Sequence, residues 1–317
     1  MKKTLIILGF AALGLSSCKQ FKKGEGDMMY KMYTDKSGET IKDSDVVFLN
    51  FTEKSETDSV LNSSYDVDRT ALVPVQKSTF KGDIFAALRM LSEGDSAAFK
   101  INIDSMVAKA GRPKPENLKG KYVVYTIKIE KVIPRGKLSD SIFNAKIQDY
   151  LKTDREKAKN SESSKINNYI SSKKLKPTVT SSGLNYVITT EGSGPKPNRG
   201  DTVYVNYTGQ FTSGKVFDTS YPEIAKKAGT FNPQRPYTPL VMSVGLGGSI
   251  PGFEEGLMLF PKGTKATLIL PSKLAYGERG QGQGIGPFTP LVFEIEIVKI
   301  VPNKGGVIAP PMTIQPR

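Results

Sequence analysis

The stretch that decides the fold runs from residue 243 to residue 277 and reads SVGLGGSIPGFEEGLMLFPKGTKATLILPSKLAYG. Within it, Ile250, Phe253 and Leu257 recur at helical spacing and predict one apolar helix face. Ser249 is the expected N-cap, because its hydroxyl oxygen could accept from an unpaired backbone N–H of the first turn. The apolar alternation after this helix predicts a strand. A short helix between strands needs a sheet to cover its apolar face.

Five short motifs between about residues 181 and 301 carry a family resemblance. They are VNYTG (205–209), FDTS (217–220), IPGFEEG (250–256), AYG (275–277) and LVF (291–293). In this order they resemble the FK506-binding (FKBP) family of peptidyl-prolyl cis-trans isomerases. The resemblance implies an α+β domain in which a twisted antiparallel β-sheet wraps around one short α-helix.

The first half of the chain is a divergent repeat of the second half. An offset of 156 residues aligns Phe51 with Tyr207 and holds as far as Tyr221. The offset then becomes 169, which aligns Ile84 with Phe253, so the second copy carries 13 extra residues. The chain is therefore predicted to contain two FKBP-like domains joined by a helical linker.

The two copies differ more at polar positions than at apolar ones. Asn62 in the first copy aligns with Asp218, and Val107 stands roughly where Tyr276 does. The first copy therefore keeps what an apolar core needs and lacks a carboxylate and a hydroxyl. We expect it to fold without catalysing isomerisation.

The predicted organisation has five parts. They are a signal peptide (1–17), a divergent and non-catalytic FKBP-like domain (27–133), a basic helical linker (134–176), an FKBP-type isomerase domain (177–301) and a disordered tail (302–317). In the linker, the polar residues Asn160–Ser164 interrupt the apolar helical spacing, so two helices are expected. These helices are compatible with a spacer packed on a domain, and also with a dimerisation or client-binding surface.

The N-terminal residues resemble a secretory leader with a lipid-attachment site. Lys2 and Lys3 precede a short apolar run, and residues 15–18 (LSSC) resemble the lipobox of bacterial lipoproteins. Lipidation of Cys18 would anchor the protein in the cell envelope, and we expect it in the outer membrane, facing the periplasm. The alternative is a leftover cysteine in a cleaved leader. Because Cys18 is the only cysteine, no intrachain disulfide can form.

The composition excludes several classes of chemistry. The chain has no histidine, which removes Ser-His and Cys-His nucleophilic pairs and the commonest zinc ligand. No glycine-rich phosphate loop lies between a strand and a helix, so a nucleotide is not expected. Acid-rich metal-binding loops are also absent from the sequence, so no metal or other cofactor is expected. The net charge of +14 is concentrated in residues 134–176, which contain 11 basic and 5 acidic residues. Since no nucleic-acid-binding motif accompanies this charge, nucleic acid is not an expected partner.

The resemblance implies a site that binds a prolyl amide in a twisted conformation. Uncatalysed isomerisation crosses a barrier of roughly 20 kcal/mol. A dry apolar pocket favours the twisted amide, because its carbonyl group carries less charge than that of the planar amide. The family's pocket maps onto Tyr207, Phe217, Leu240, Ile250, Phe253, Tyr276, Ile285 and Phe293, with Asp218 at the rim.

The resemblance also implies a role for each polar group of this pocket. The backbone N–H of Ile250 and the hydroxyl of Tyr276 would hold substrate carbonyls. Asp218 would face the twisted carbonyl and accept a hydrogen bond from Tyr207. Phe253 would form the floor of the pocket, beneath the proline ring.

Three positions depart from the family pattern, and one of them is Gln281, which takes a loop position often held by histidine. Phe253 stands where the best-known members carry tryptophan, so the pocket floor is smaller. Glu223 stands where some members place an arginine near the aspartate. Taken alone, the apolar rings Tyr207, Phe217 and Phe293 would also fit an ordinary sheet core.

The expected function is prolyl isomerisation during the folding of exported proteins. Its substrates would be unfolded polypeptides that contain proline, and macrolides of the FK506 type would be candidate inhibitors. The alternative is a non-enzymatic chaperone or binding module with an FKBP fold.

Overall fold

The computed structural model describes residues 20–67, 69–111, 114, 118, 120–282 and 284–303. The chain divides into two compact units, one of Met1–Ser63 with Thr70–Ser139 and one of Ser64–Arg69 with Asp140–Arg317. The predicted leader, Cys18 and the tail from residue 304 onward lie outside the described residues. Within the described ranges, no helix is both long enough and apolar enough to cross a membrane.

The first unit contains one antiparallel sheet, with seven strands over its described residues. Its elements are β1 (Lys22–Lys23), β2 (Met29–Thr34), β3 (Val46–Ser55), β4 (Val60–Ser63), β5 (Ala71–Pro74), α1 (Ile84–Leu88), β6 (Ser96–Asn102), α2 (Ile103–Ala110) and β7 (Tyr122–Ile133). The strand order is β1-β2-β6-β7-β3-β4, and β5 pairs with β3. One face of this sheet and α1 share an apolar core.

The second unit repeats this plan. Its elements are α3 (Asp140–Ser172), β8 (Thr178–Val179), β9 (Asn185–Thr190), β10 (Thr202–Phe211), β11 (Val216–Thr219), α4 (Pro222–Ala228), β12 (Leu240–Ser243), α5 (Pro251–Leu259), β13 (Lys265–Leu270), a 3₁₀ turn (Ser272–Leu274) and β14 (Leu291–Val301). The strand order is β11-β10-β14-β13-β9-β8, with β12 paired to β10. This is the order of the first sheet written from its other edge.

The two sheets also share their strand register. Glu53 lies opposite Asn62 in the first sheet, Gly209 lies opposite Asp218 in the second, and each pair is followed by a bulge. The offset of 156 residues is therefore confirmed by strand pairing. In the last strand the offset is 168 rather than 169, because Tyr125 pairs with Glu53 as Phe293 pairs with Gly209.

The predicted α+β class with two antiparallel sheets is confirmed. Each sheet packs on one short helix, α1 in the first unit and α5 in the second. Each unit also has a helix that the sequence did not predict, α2 in the first and α4 in the second. Helix α4 lies within the segment that the second copy has in addition.

Helix α5 has a different N-cap from the one expected. Its N-cap is Ile250 rather than Ser249, and Pro251 takes the first helical position. Glu254, in the first turn, accepts hydrogen bonds from the backbone N–H of Ser249 at 2.9 Å and of Gly247 at 3.2 Å. A carboxylate reaching back from inside the helix thus replaces the expected serine cap.

Helix α3 is continuous from Asp140 to Ser172, so the predicted break at Asn160–Ser164 is wrong. Serine and asparagine each lower helix stability by only about 0.7 kcal/mol or less, which good helix formers on both sides can offset. The hydroxyl of Ser161 donates to the carbonyl of Ala158 at 3.0 Å and so stays bonded within the helix.

The C-terminal part of α3 covers the outer face of the second sheet. Ile166 and Tyr169 pack on Ile269 of β13 and Val292 of β14. Ile269 points away from the α5 side of the sheet, yet it is fully buried because α3 covers it. The second sheet therefore has an apolar layer on both faces at this point.

Candidate functional site

Three aromatic rings meet where α5 lies against the centre of the second sheet. Tyr207 is on β10, Phe293 is on the neighbouring strand β14, and Phe253 is in the first turn of α5. The ring centroids of Phe253 and Phe293 are 5.0 Å apart, and those of Tyr207 and Phe253 are 6.0 Å apart. Both pairs are edge-to-face, which is a favoured geometry for aromatic rings. Since all three side chains are buried, the sheet and the helix fix their positions.

The other apolar residues predicted for the site join the same cluster. They are Ile250 and Ile285, which are buried, and Phe217, Leu240 and Tyr276, which are partly buried at its edge. Phe217 contacts Phe293 edge-to-face, with ring centroids 5.8 Å apart. The fold therefore brings together every pocket residue that the sequence predicted.

The close approach of these rings depends on Gly209. A Cβ atom at this position would lie 2.7 Å from the ring of Phe217 and 2.9 Å from the ring of Phe293. Contacts this short would force the buried ring of Phe293 and the partly buried ring of Phe217 to move. Glycine at residue 209 thus lets two aromatic rings lie directly over the strand.

Asp218 is a buried carboxylate surrounded by donors. The hydroxyl of Tyr207 donates to its Oδ2 at 2.6 Å, and the backbone N–H of Thr219 donates to its Oδ1 at 2.8 Å. Arg235 forms an ion pair with Oδ1 and also donates from Nη2 to the Tyr207 hydroxyl at 3.0 Å. Asp218 is only 4 % exposed, so the cation and the donors offset the cost of burying its charge.

Sequence reasoning missed Arg235. It comes from the segment after α4 that only the second copy contains, whereas the position considered for an arginine was Glu223. Glu223 instead forms an exposed ion pair with Lys226 at 2.9 Å. The sequence did contain one indication that the extra segment serves the site. The second copy has both Asp218 and the extra segment, whereas the first copy has Asn62 instead of the aspartate and lacks the segment.

Burial and the charge of the Asp218 carboxylate raise the pKa values of two tyrosine hydroxyls. Burial, followed by the charge of Asp218 and its hydrogen bond, raises the pKa of Tyr207 well above its usual range. Burial and the charge of Asp218 also raise the pKa of Tyr276. Both hydroxyls are therefore protonated donors at neutral pH. The Tyr207 hydroxyl is already committed to Asp218 and Arg235.

Tyr276 is presented by a loop that begins at the 3₁₀ turn after β13. The carbonyl of Ser272 accepts hydrogen bonds from the N–H groups of Ala275 and Gly277, both at 2.8 Å. These two donors lie on either side of Tyr276. The carbonyl of Tyr276 accepts from the N–H of Gly280 at 3.2 Å, which continues the loop.

Comparison with known proteins identifies a family for the second unit. Residues 194–298 match the model of a family described as FKBP-type peptidyl-prolyl cis-trans isomerase. The second unit belongs to this FKBP family. The matched residues contain Tyr207, Asp218, Phe253 and Tyr276 of the site described above.

Several FKBP relatives resemble the chain over the same region. It is 41 % identical over 122 residues to the FKBP-type 22 kDa peptidyl-prolyl cis-trans isomerase of Escherichia coli (strain K12), covering 38 % of this chain and 52 % of that protein. It is 40 % identical over 134 residues to the outer membrane protein MIP of Legionella longbeachae, covering 42 % of this chain and 51 % of that protein. The chain thus spans about half the length of these curated relatives.

Among solved structures, the crystal structure of FkpA from Escherichia coli is 32 % identical and matches with a TM-score of 0.42. The match covers 52 % of this chain and 75 % of that chain. A TM-score this low does not establish a shared overall arrangement.

The first unit has the FKBP strand order but a different chemistry at the equivalent positions. Asn62 takes the register position of Asp218, and Glu53 takes that of Gly209. Tyr125 stands in place of Phe293, and its hydroxyl donates to Glu53 at 2.9 Å. Val107 lies on α2, where the second FKBP domain has the loop of Tyr276. A tyrosine–carboxylate pair thus stands where the second domain has Phe293 and Gly209.

The acidic side chains of the described residues are dispersed. Over those residues, no group of three or more histidine, cysteine, aspartate or glutamate side chains is arranged to hold a metal ion. The arrangement offers instead a dry aromatic cluster, one fixed carboxylate and one tyrosine donor.

Proposed function

We propose that this chain is a peptidyl-prolyl cis-trans isomerase that assists the folding of exported proteins in the bacterial cell envelope, and that its second FKBP domain carries the activity. One observation carries the proposal, namely the buried Asp218 held by Tyr207 and Arg235 beside the aromatic cluster. An ordinary sheet core has no need of a buried ion pair, which costs desolvation energy.

The aromatic cluster would bind the proline ring of the substrate. Phe253 would form the floor, and Phe293, whose ring lies against both Phe253 and Phe217, would form one wall together with Phe217. Water stabilises the planar amide through its large dipole, so moving the amide into an apolar site weakens that preference. The twisted amide is then bound more tightly than either planar isomer, which lowers the barrier.

The polar groups would orient the amide as it twists. The Tyr276 hydroxyl and the backbone N–H of Ile250 would donate to substrate carbonyls, and Asp218 would face the carbonyl that rotates. Because Tyr207, Thr219 and Arg235 hold Asp218 in place, its field needs no reorganisation during the reaction.

The test is a proline-peptide isomerisation assay on variants of the full chain. Asp218→Ala and Tyr276→Phe should each lower kcat/KM by about tenfold or more, equivalent to about 1.4 kcal/mol or more in activation free energy. Asn62→Ala, at the equivalent position of the first domain, should leave kcat/KM unchanged. If folded Asp218→Ala and Tyr276→Phe both retain the full rate, the proposed site is wrong.

The substrate would be an unfolded or newly exported polypeptide that contains proline. Macrolides of the FK506 type would compete for the same pocket, with an affinity reduced by the smaller floor at Phe253. The alternative, a non-enzymatic chaperone, predicts a different outcome in the same experiment. Asp218→Ala would then suppress aggregation of an unfolded client as well as the wild type does, and the wild type would show no isomerase activity.

Attachment to the outer membrane, facing the periplasm, would come from lipidation of Cys18, and the relative MIP is named as an outer membrane protein. Cys18→Ser should release the protein from washed membranes and remove the mass of the acyl chains. Equal membrane retention of Cys18→Ser, without a loss of acyl mass, would contradict the anchor.

A further inference from the structure

Helix α3 is fixed to the second sheet close to the loop that carries Tyr276. Ile166 and Tyr169 pack on Ile269 and Val292, which are paired neighbours in β13 and β14. Burial of several apolar side chains at this contact holds α3 against the sheet. The polar residues one turn earlier in α3 therefore have fixed positions relative to the end of β13.

Glu162 uses both of its carboxylate oxygens on one residue of that loop. Its Oε2 accepts from the hydroxyl of Ser272 at 3.0 Å, and its Oε1 accepts from the backbone N–H of Ser272. Ser272 is buried and begins the 3₁₀ turn that leads to Tyr276. Hydrogen bonds to a charged acceptor are stronger than neutral ones, so this contact anchors the start of the turn.

The anchored residue in turn holds both flanks of Tyr276. The carbonyl of Ser272 accepts from the N–H groups of Ala275 and Gly277. Hydrogen bonds thus connect the Glu162 carboxylate through one residue, Ser272, to the two neighbours of Tyr276. Movement of Ser272 would move the tyrosine with it.

A second contact from α3 reaches the same loop. Lys159, one turn before Glu162, places its Nζ 5.8 Å from the ring centroid of Phe288. The backbone N–H of Phe288 donates to the carbonyl of Gly277 at 2.9 Å. Phe288 also has a φ of +52°, an unusual value for a residue with a side chain, so the surrounding contacts must hold it there.

From this geometry we propose that Glu162 is a positioning residue of the isomerase site, which holds the Tyr276 hydroxyl at the pocket through Ser272. Helix α3 is then a working part of the catalytic domain rather than a spacer, although it lies outside the residues that match the family. The inference rests on the proposed role of Tyr276 in isomerisation.

The experiment is a double-mutant cycle in the full chain, followed by proline-peptide isomerisation. Glu162→Ala should lower kcat/KM by about tenfold, because both hydrogen bonds that hold Ser272 are lost. Glu162→Gln keeps an acceptor oxygen and should recover part of that loss. Glu156→Ala removes an exposed glutamate of the same helix and should have no effect. In the Tyr276→Phe background, Glu162→Ala should lower kcat/KM little further, because the hydroxyl it positions is absent.

Each alternative result has a distinct meaning. If Glu162→Ala matches Glu156→Ala, or lowers kcat/KM equally with and without the Tyr276 hydroxyl, the positioning role is wrong while the proposed function stands. If Tyr276→Phe itself has full activity, the role of Tyr276 in the proposed function fails, and this inference fails with it. Should Glu162→Ala not fold, Ser272→Ala removes only the hydroxyl contact, and about a threefold loss that disappears in the Tyr276→Phe background is expected.

Discussion

Arg235 is the cation beside the buried Asp218, and its replacement would leave that carboxylate without its charge partner. Arg235→Ala should lower kcat/KM about ten- to a hundredfold in the proline-peptide assay. Arg235→Lys should have an intermediate kcat/KM. The lysine ammonium group keeps the charge, but it lacks the two-pronged guanidinium group that reaches both Asp218 and Tyr207. Lys227→Ala, in the same extra segment, is the control. Full activity in folded Arg235→Ala would show that this ion pair is not needed for catalysis.

The tyrosine hydroxyls of the site make a pH prediction. The pKa of Tyr207 is about 10 in the unfolded chain and higher in the folded protein. The protonated hydroxyl therefore adds its full stability below about pH 10, and this stability is lost as the pH rises toward the pKa of the folded state. Absorbance titration curves of the wild type and of Tyr207→Phe are measured, and their difference reports the ionisation of Tyr207. In the native protein this difference should show no ionisation near pH 10. The same difference in denaturant should titrate near pH 10. An identical midpoint in both states would contradict the raised pKa.

Side chains within the recognisable motifs could be predicted, and those outside them could not. Asp218, Phe253 and Tyr276 lie in motifs whose order is specific to the family, so their convergence was expected. Arg235 lies in no motif, because the extra segment that carries it reaches Asp218 only after folding. Glu162 is separated from Ser272 by 110 residues, and no periodicity links the two.

Helix α5 and strand β13 approach so closely that Gly256, at their contact, leaves little room for a side chain. A Cβ atom on Gly256 would lie 2.4 Å from Cδ1 of the buried Leu268. Overpacking of this kind costs about 1–3 kcal/mol, against a gain of about 1 kcal/mol in helix propensity. Gly256→Ala should therefore be neutral to destabilising by about 2 kcal/mol, whereas the same change in an unpacked helix stabilises.

Chemical denaturation followed by circular dichroism measures this effect. Leu268→Val removes the atom that the new methyl group meets, so the cost of Gly256→Ala should be smaller in that background. A clear stabilisation by Gly256→Ala in the wild-type background would show that the helix can move away from the strand at little cost.

Elements were predicted well where the pattern was local and less well where it depended on packing. The spacing of Ile250, Phe253 and Leu257 was enough to predict α5, because one apolar face needs only one sheet. The length of α3 was not predicted, because its polar middle has little intrinsic preference and its end is stabilised by Ile269 and Val292. Strand alternation likewise could not show that Ile269 would be covered by a helix from another part of the chain.

At the scale of the whole molecule, the chain contains two domains of the same fold, and only the second has the proposed site. Restoring the carboxylate to the first domain should not create activity, because Val107, Glu53 and Tyr125 remain. In the Asp218→Ala chain, adding Asn62→Asp should leave kcat/KM for proline-peptide isomerisation at the reduced value of Asp218→Ala alone. Recovery of activity would mean that the first domain lacks only its carboxylate.

The hydrogen bond between Tyr125 and Glu53 also has a stoichiometric consequence. The same fold occurs twice in the chain, but in the first occurrence Tyr125 is hydrogen-bonded to Glu53 and Ile84 aligns with Phe253. Only the second occurrence therefore has the Phe253 floor on which a proline ring or a tight inhibitor would bind. A titration with such an inhibitor should therefore end at one equivalent per polypeptide, not two. Turnover numbers should accordingly be compared with those of single-domain relatives per mole of chain, since counting domains would halve the apparent efficiency.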